Sequence, residues 1–167
     1  NNYFIILGAG KGYRFSRIKP KQYFNFNGKK LINYSIDKAI ESKLFKKIIV
    51  VTSPKYKKEF NEYKNNQLLF VKGGKERKDS CLNALKIIKK YKPKNVLIHD
   101  AARPGFSINL LNKIIKQLKN NTAVVPYINS NDSIKYKIRD KHVNLKRKNI
   151  YLIQTPQAFR FKNSYEL

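Results

Sequence analysis

A chain of 167 residues and 19.6 kDa has the length of one ordinary domain, and its 41% hydrophobic and 13% aromatic content excludes wholesale disorder. Lys and Arg total 37 against 10 Asp and Glu, a net charge of +27, which favours anionic partners: nucleic acid, a membrane surface or a phosphorylated small molecule. One cysteine, Cys81, cannot make an internal disulfide, and with only two histidines a Cys/His zinc site is out of reach.

In chain order, Tyr3–Leu7 reads as a fully buried strand that runs straight into the glycine-rich Gly8-Ala9-Gly10-Lys11-Gly12. Ile32, Ile36, Ile40 and Leu44 recur at four-residue spacing and predict a helix over 31–44. Ile48–Val51 is a short β-branched strand, ended by Thr52-Ser53-Pro54, which opens a polar helix over 55–64. Leu68–Val71 is a third strand, stopped by Gly73-Gly74, and Leu82, Leu85 and Ile88 mark a helix that starts near Asp79 or Ser80. Val96–Ile98 is a fourth strand, and a helix carrying Leu111, Ile114, Ile115 and Leu118 leads to a fifth strand over 123–126. This alternation predicts right-handed βαβ units and a mainly parallel sheet, an α/β fold.

Residues 127–150 break the rhythm. Ile134, Tyr136 and Ile138, then Val143 and Leu145, alternate around Arg139-Asp140-Lys141-His142. That is the pattern of a projecting hairpin, read either as a plain surface feature or as an arm reaching a second subunit. The chain begins without Met and stops at Leu167, just inside what reads as a new helix, so it is expected to be a single domain, 1–167, cut at both ends. The longest apolar runs are far too short to cross a bilayer, and no secretory leader opens the chain, which points to the cytoplasm. The positive charge is carried by 30 Lys and only 7 Arg, spread over the outer faces of helices, as at Lys86, Lys89 and Lys90. Readers of base edges and phosphates favour Arg, so nucleic acid is not expected as the partner; no membrane partner is expected either.

An open parallel sheet binds ligands at the carboxyl ends of its strands, and four stretches fall there. In Gly8-Ala9-Gly10-Lys11-Gly12-Tyr13-Arg14 the small residues let backbone N–H groups close on a phosphate, and Lys11 and Arg14 add charge. The stretch is neither G-x-G-x-x-G nor a Walker A loop. Pro20-Lys21-Gln22-Tyr23 follows, where Pro20 fixes the backbone and Lys21 could reach the same phosphate. In Gly73-Gly74-Lys75-Glu76-Arg77-Lys78-Asp79-Ser80 the glycines permit close approach to a flat base, and Ser80 either caps the next helix or touches the ligand. In His99-Asp100-Ala101-Ala102-Arg103-Pro104, Asp100 suits a Mg²⁺ contact or, more plainly, pairs with Arg103 or caps the helix near Ser107. His99 reads as a structural hydrogen-bonding residue and Cys81 as core. The joint message of the four stretches is a nucleoside triphosphate with Mg²⁺.

These stretches, with Gln154-Thr155-Pro156-Gln157, occur in an order and spacing that resembles the 2-C-methyl-D-erythritol 4-phosphate cytidylyltransferase family. The resemblance implies a Rossmann-like, three-layer nucleotidyltransferase with a mainly parallel sheet and a protruding β-arm. It also implies a homodimer with exchanged arms and Mg²⁺-dependent transfer of CMP from CTP to 2-C-methyl-D-erythritol 4-phosphate. Carried over position by position, Arg14 and Lys21 would stabilise charge at the α-phosphate. Gly8, Ala9, Gly10, Gly12, Gly74, Ser80 and Ala101 would cradle CTP, and Asp100 would ligate the metal. Arg103, Ser133 and Arg147 would bind the second substrate, the last two from the arm across the dimer. Gly8 stands where Ala is usual and Ser133 where Thr is usual. The rivals are ribitol-5-phosphate cytidylyltransferase, a basic RNA-binding domain and a non-catalytic nucleotide-binding module.

Overall fold

In the computed structural model, which describes residues 1–12, 16, 18–63 and 66–163, strand β1 (Asn2–Leu7) is covered on both faces. Its side chains alternate between two cores. Phe4 and Ile6 pack with Ile32 and Ile36 of α1 (Leu31–Glu41) and Leu111 and Ile114 of α3 (Ile108–Gln117). Tyr3 and Ile5 pack with Ala84, Leu85 and Ile88 of α2 (Arg77–Ile88). Two helices on one face and one on the other make the three layers.

Strands β4 (Phe45–Thr52) and β6 (Asn95–Asp100) flank β1 in parallel, and β5 (Leu68–Lys72) extends the sheet beyond β4. The chain thus moves outward from β1 through β4 to β5, then returns to the opposite side of β1 as β6. Ligands of open α/β sheets bind at such a reversal, outside the carboxyl ends of the strands.

The far edge differs from expectation. The strand expected over 123–126 is reduced to β7 (Ala123–Val124), and it does not touch β6. Strand β12 (Gln157–Arg160) lies between them and is antiparallel to both. The sheet is therefore mixed, with the order β5-β4-β1-β6-β12-β7.

Three helical boundaries also differ. The stripe expected to run to Leu44 stops at Glu41, because Ser42 Oγ bonds the Ala39 carbonyl and Lys43 turns left-handed at φ +55°. The polar helix expected over 55–64 is a 3-10 segment, Pro54–Phe60, anchored by Phe60 in the core. Helix α2 begins at Arg77, before Asp79 and Ser80, because Glu76 and Asp79 form a capping box in which the Glu76 N–H donates to Asp79 Oδ2 at 2.9 Å.

A tight hairpin, β2 (Asn25–Phe26) and β3 (Lys29–Lys30), turns through Asn27 and Gly28, both at positive φ. Residues 127–153 form the projecting arm. Its base is the ladder of β8 (Tyr127–Asn129) with β11 (Tyr151–Ile153), and its tip is the hairpin of β9 (Ile134–Ile138) with β10 (Lys141–Leu145). The new helix expected near Leu167 falls outside the described residues.

Candidate active site

Three loops leave the sheet side by side, each prolonging the strand ladder by one bond. The Gly8 N–H donates to the Val51 carbonyl at 2.7 Å, Gly73 to Thr52 at 3.2 Å and Ala101 to Leu7 at 3.1 Å. The loops after β1, β5 and β6 are thereby held at fixed spacing, and between them lies a cleft of about 1280 Å³.

The first loop is set from below by the 3-10 turn Lys21–Tyr23. The buried Gln22 amide donates both of its hydrogens to loop carbonyls, Gly8 at 2.8 Å and Gly10 at 2.7 Å. The Tyr23 hydroxyl donates to Gly8 O at 2.8 Å and lies 2.6 Å from Thr52 Oγ1. Burial pushes the Tyr23 phenol up to about 12, so it remains a donor at neutral pH. Two loop carbonyls are thus drawn toward the protein, which suits a loop that offers N–H groups to an anion. Gly12, at φ +64°, packs against Pro20 and the Lys21 backbone, an approach and a conformation that glycine alone accepts readily.

The second loop touches the first. A Cβ on Gly73 would collide with the Ala9 methyl, and one on Gly74 with Asp79. Ser80, buried in α2, accepts the Gly74 N–H at 3.1 Å. It therefore fixes the glycine pair rather than capping the helix, which corrects the capping alternative.

In the third loop Asp100 is bracketed by two guanidinium groups. Arg77 Nε lies 3.2 Å from one carboxylate oxygen and Arg103 Nε 3.6 Å from the other. Arg103 is also tied to Gln154 Oε1 at 3.0 Å. Pairing with Arg103 is therefore present, and the alternative in which Asp100 caps α3 is corrected: Ser107 caps that helix, accepting from Leu110 N–H.

His99, on the strand before Asp100, is fully buried. Its Nε2 faces Ser35 Oγ at 3.3 Å and its Nδ1 faces Thr155 Oγ1 at 2.9 Å, and the same hydroxyl accepts the Asp100 N–H at 3.5 Å. The ring packs against Phe4 and Phe106. Burial pushes its pKa down to about 4, so it is neutral at pH 7 and structural, as expected. The unfolded chain, with an ordinary His value near 6.5, binds a proton that the folded chain refuses. Stability is therefore full above about pH 6.5 and falls as pH drops from there toward 4, by roughly 3 kcal/mol for this group. Urea midpoints measured between pH 7 and 4 should fall more steeply for the natural chain than for His99→Gln; equal slopes would show that His99 does not set this dependence.

Of the residues singled out from sequence, Ala9, Gly10, Gly12, Lys21, Gly74, Ser80, Asp100 and Ala101 all line the one cleft. Gly8 does not: it is buried beneath the loop, where a Cβ would press on Ile32 and the Val51 carbonyl. Packing alone therefore calls for a glycine at this position. Arg14 lies outside the described residues. Arg103 sits beside the cleft through its Asp100 and Gln154 contacts. Ser133 and Arg147 are exposed on the arm, with Arg147 bonded to the Asn131 carbonyl at 3.1 Å, and neither lines the cleft of its own chain. Gln22, Arg77 and Thr155 were not singled out, although each falls within a motif quoted above. Nothing in their spacing marks a clamp or an ion pair.

The donor set at Asp100 fits Mg²⁺. That ion is commonly held by one or two carboxylates plus substrate phosphates, with waters completing its shell, and at Asp100 it would share the carboxylate with, or displace, the two guanidinium groups. Among the described residues no group of three or more His, Cys, Asp or Glu forms an all-protein cage.

The sequence matches the family profile described as 2-C-methyl-D-erythritol 4-phosphate cytidylyltransferase over residues 3–165. It is 48% identical over 167 residues to the bifunctional enzyme IspD/IspF of Pelagibacter ubique, covering 100% of this chain and 45% of that protein. It is 37% identical to the 2-C-methyl-D-erythritol 4-phosphate cytidylyltransferase of Clostridium beijerinckii, covering 97% of this chain and 74% of that one. Thus the chain spans less than half of the bifunctional relative and about three quarters of the single-function one. Among solved structures, 4-diphosphocytidyl-2C-methyl-D-erythritol synthase from Anaerococcus prevotii superposes with a TM-score of 0.84 at 29% identity, covering 96% of this chain and 71% of that one. The Francisella tularensis 2-C-methyl-D-erythritol 4-phosphate cytidylyltransferase superposes with a TM-score of 0.80 at 32% identity, covering 96% and 73%.

Proposed function

The chain belongs to the 2-C-methyl-D-erythritol 4-phosphate cytidylyltransferase family, and on that premise we propose that its cleft binds CTP and transfers CMP to 2-C-methyl-D-erythritol 4-phosphate, releasing pyrophosphate. The observation that carries this reading is that Lys21 of the 3-10 turn, Ser80 of α2 and Asp100 at the end of β6 line one cleft at the reversal of the sheet.

The attacking group is an oxygen of the acceptor's phosphate. It is already ionised, so no general base is needed, and the work is positioning and stabilisation of charge. The oxygen attacks the α-phosphorus in line, an O–P bond forms, and the bond to the β-phosphate oxygen breaks with pyrophosphate leaving. Lys21, with Arg14 as its expected partner, places positive charge on the α-phosphate oxygens. The loop of Ala9, Gly10 and Gly12 offers N–H groups to the phosphates, and the Gly73-Gly74 turn, held by Ser80, closes on the base. Mg²⁺ held by Asp100 would supply neutralisation of phosphate charge. We place the reaction in the cytoplasm, a reducing compartment that suits a free thiol at Cys81; among the described residues no helix is long and apolar enough to cross a membrane.

Ser133 and Arg147 serve the reading only if the arm of one chain reaches the cleft of another, so we include a homodimer in the proposal. Its support is the arm's bare apolar face. Tyr136 is 57% exposed and Ile138 51%, and Tyr127 and Ile153 stand equally open at the base. Patches of this kind mark interaction sites. Light scattering should give about twice 19.6 kDa for the natural chain and the single mass for Tyr136→Glu with Ile138→Asp. A monomeric natural chain would sink the arm exchange.

The direct test follows pyrophosphate formation with CTP and either alcohol phosphate. Release that needs both CTP and 2-C-methyl-D-erythritol 4-phosphate is expected. Release with ribitol 5-phosphate alone, or RNA binding with a steep salt slope and no CTP binding, would replace the assignment.

A further inference from the structure

We propose that Arg77 is a further nucleotide-binding residue, one that couples metal binding to nucleotide binding by exchanging Asp100 for the polyphosphate. The proposal rests on the CTP and Mg²⁺ reading above.

Its basis is an asymmetry between the two guanidinium groups on Asp100. Arg103 is held twice, by Asp100 and by Gln154. Arg77 makes one hydrogen bond, Nε to Asp100 Oδ1 at 3.2 Å, and its side chain is 52% exposed at the N-terminal turn of α2. It lines the cleft with Lys11, Lys21 and Lys75. Arg77 is therefore the member of the pair that can leave at small cost, since a half-exposed ion pair holds weakly.

The oxygen Arg77 holds is one of the two that Asp100 could offer to a metal, and Arg103 faces the other. A divalent cation arriving alone meets two guanidinium groups on a single carboxylate, in a cleft that also carries three lysines against one further carboxylate, Glu76. It must displace Arg77 into a region already positive. A cation arriving with a triphosphate brings net negative charge instead. Arg77 can then release Asp100 to the metal and keep a charge-assisted partner in the phosphate oxygens, for which a guanidinium is well shaped. Each ligand favours the arrangement the other needs, and such coupling is reciprocal.

The test compares the natural chain with Arg77→Gln, using two probes that do not require turnover. Mn²⁺ alone is titrated by electron paramagnetic resonance, and CTP alone by equilibrium dialysis in EDTA and in saturating Mn²⁺. In the natural chain Mn²⁺ alone should bind feebly and should tighten CTP binding strongly. In Arg77→Gln, Mn²⁺ alone should bind about 5- to 10-fold tighter, and the factor by which Mn²⁺ tightens CTP should shrink by at least 5-fold. The thermal midpoint should match the natural chain, because Arg77 is half-exposed and its ion pair with Asp100 holds weakly. If Arg77→Gln leaves both the Mn²⁺ affinity and the coupling factor unchanged, the role of Arg77 is overturned while the CTP reading stands. If the natural chain binds no CTP even with Mn²⁺, the CTP reading itself falls.

Discussion

Lys21→Ala is expected to slow CMP transfer by about 10²–10³, the usual scale for removing one charge contact made in the transition state. Lys21 is held at the cleft from both sides. Gly12 approaches its backbone nitrogen and the preceding Pro20, and the neighbouring Gln22 is locked to the glycine loop. Charge on the α-phosphate oxygens grows as the acceptor oxygen attacks, so the lysine should matter more to turnover than to ground-state binding. Single-turnover rates should therefore fall much further than CTP affinity. A variant that retains more than half the natural rate would remove Lys21 from the chemistry.

Gln22→Glu should weaken CTP binding about 10²-fold, although the two side chains are nearly isosteric. The amide gives both hydrogens to the Gly8 and Gly10 carbonyls from a position 6% exposed. A carboxylate there has no hydrogen to give and sets negative charge against two carbonyl oxygens, a buried mismatch of about 3 kcal/mol. The loop carbonyls would be released toward the cleft, where phosphate must lie. Because a protonated Glu can donate one bond, the deficit in CTP affinity relative to the natural chain should narrow as pH falls. Titration calorimetry at several pH values reads both effects. A CTP affinity within threefold of the natural chain at pH 8 would show that the clamp does not preset the loop.

The parallel half of the sheet is legible because its signals are local. The run Tyr3–Leu7, the stripe of α1 and the β-branched Ile48–Val51 each carry their pattern within a few residues, and two buried faces leave little freedom in register. Convergence of the glycine loops on one cleft follows from the sheet rule alone. What escaped depends on distant partners. Strand β12 is four residues long with Ala158 and Phe159 buried side by side, so Gln157–Arg160 carries no alternating pattern that reads as a strand until its pairing with Ile98 and Leu97 is known. Ser80 stands where an N-cap is expected, yet Glu76 and Asp79 cap the helix between themselves and leave the Ser80 hydroxyl to the glycine turn. The Arg77–Asp100 pair joins the start of α2 to the end of β6, 23 residues apart, and neither motif names the other as its partner.

The placement of β12 has a consequence for how the molecule is made. Residues up to Asp100 contain all four parallel strands and can associate as they emerge during synthesis, but β6 then presents a raw edge of unpaired amides and carbonyls. The segment that covers it is Gln157–Arg160, and β7, although made earlier, reaches the sheet only through that late strand. A nascent chain must therefore carry a sticky border through more than fifty further residues of translation. A lesion that delays β12 would leave that border open to a neighbouring polypeptide and so favour aggregation in the cell.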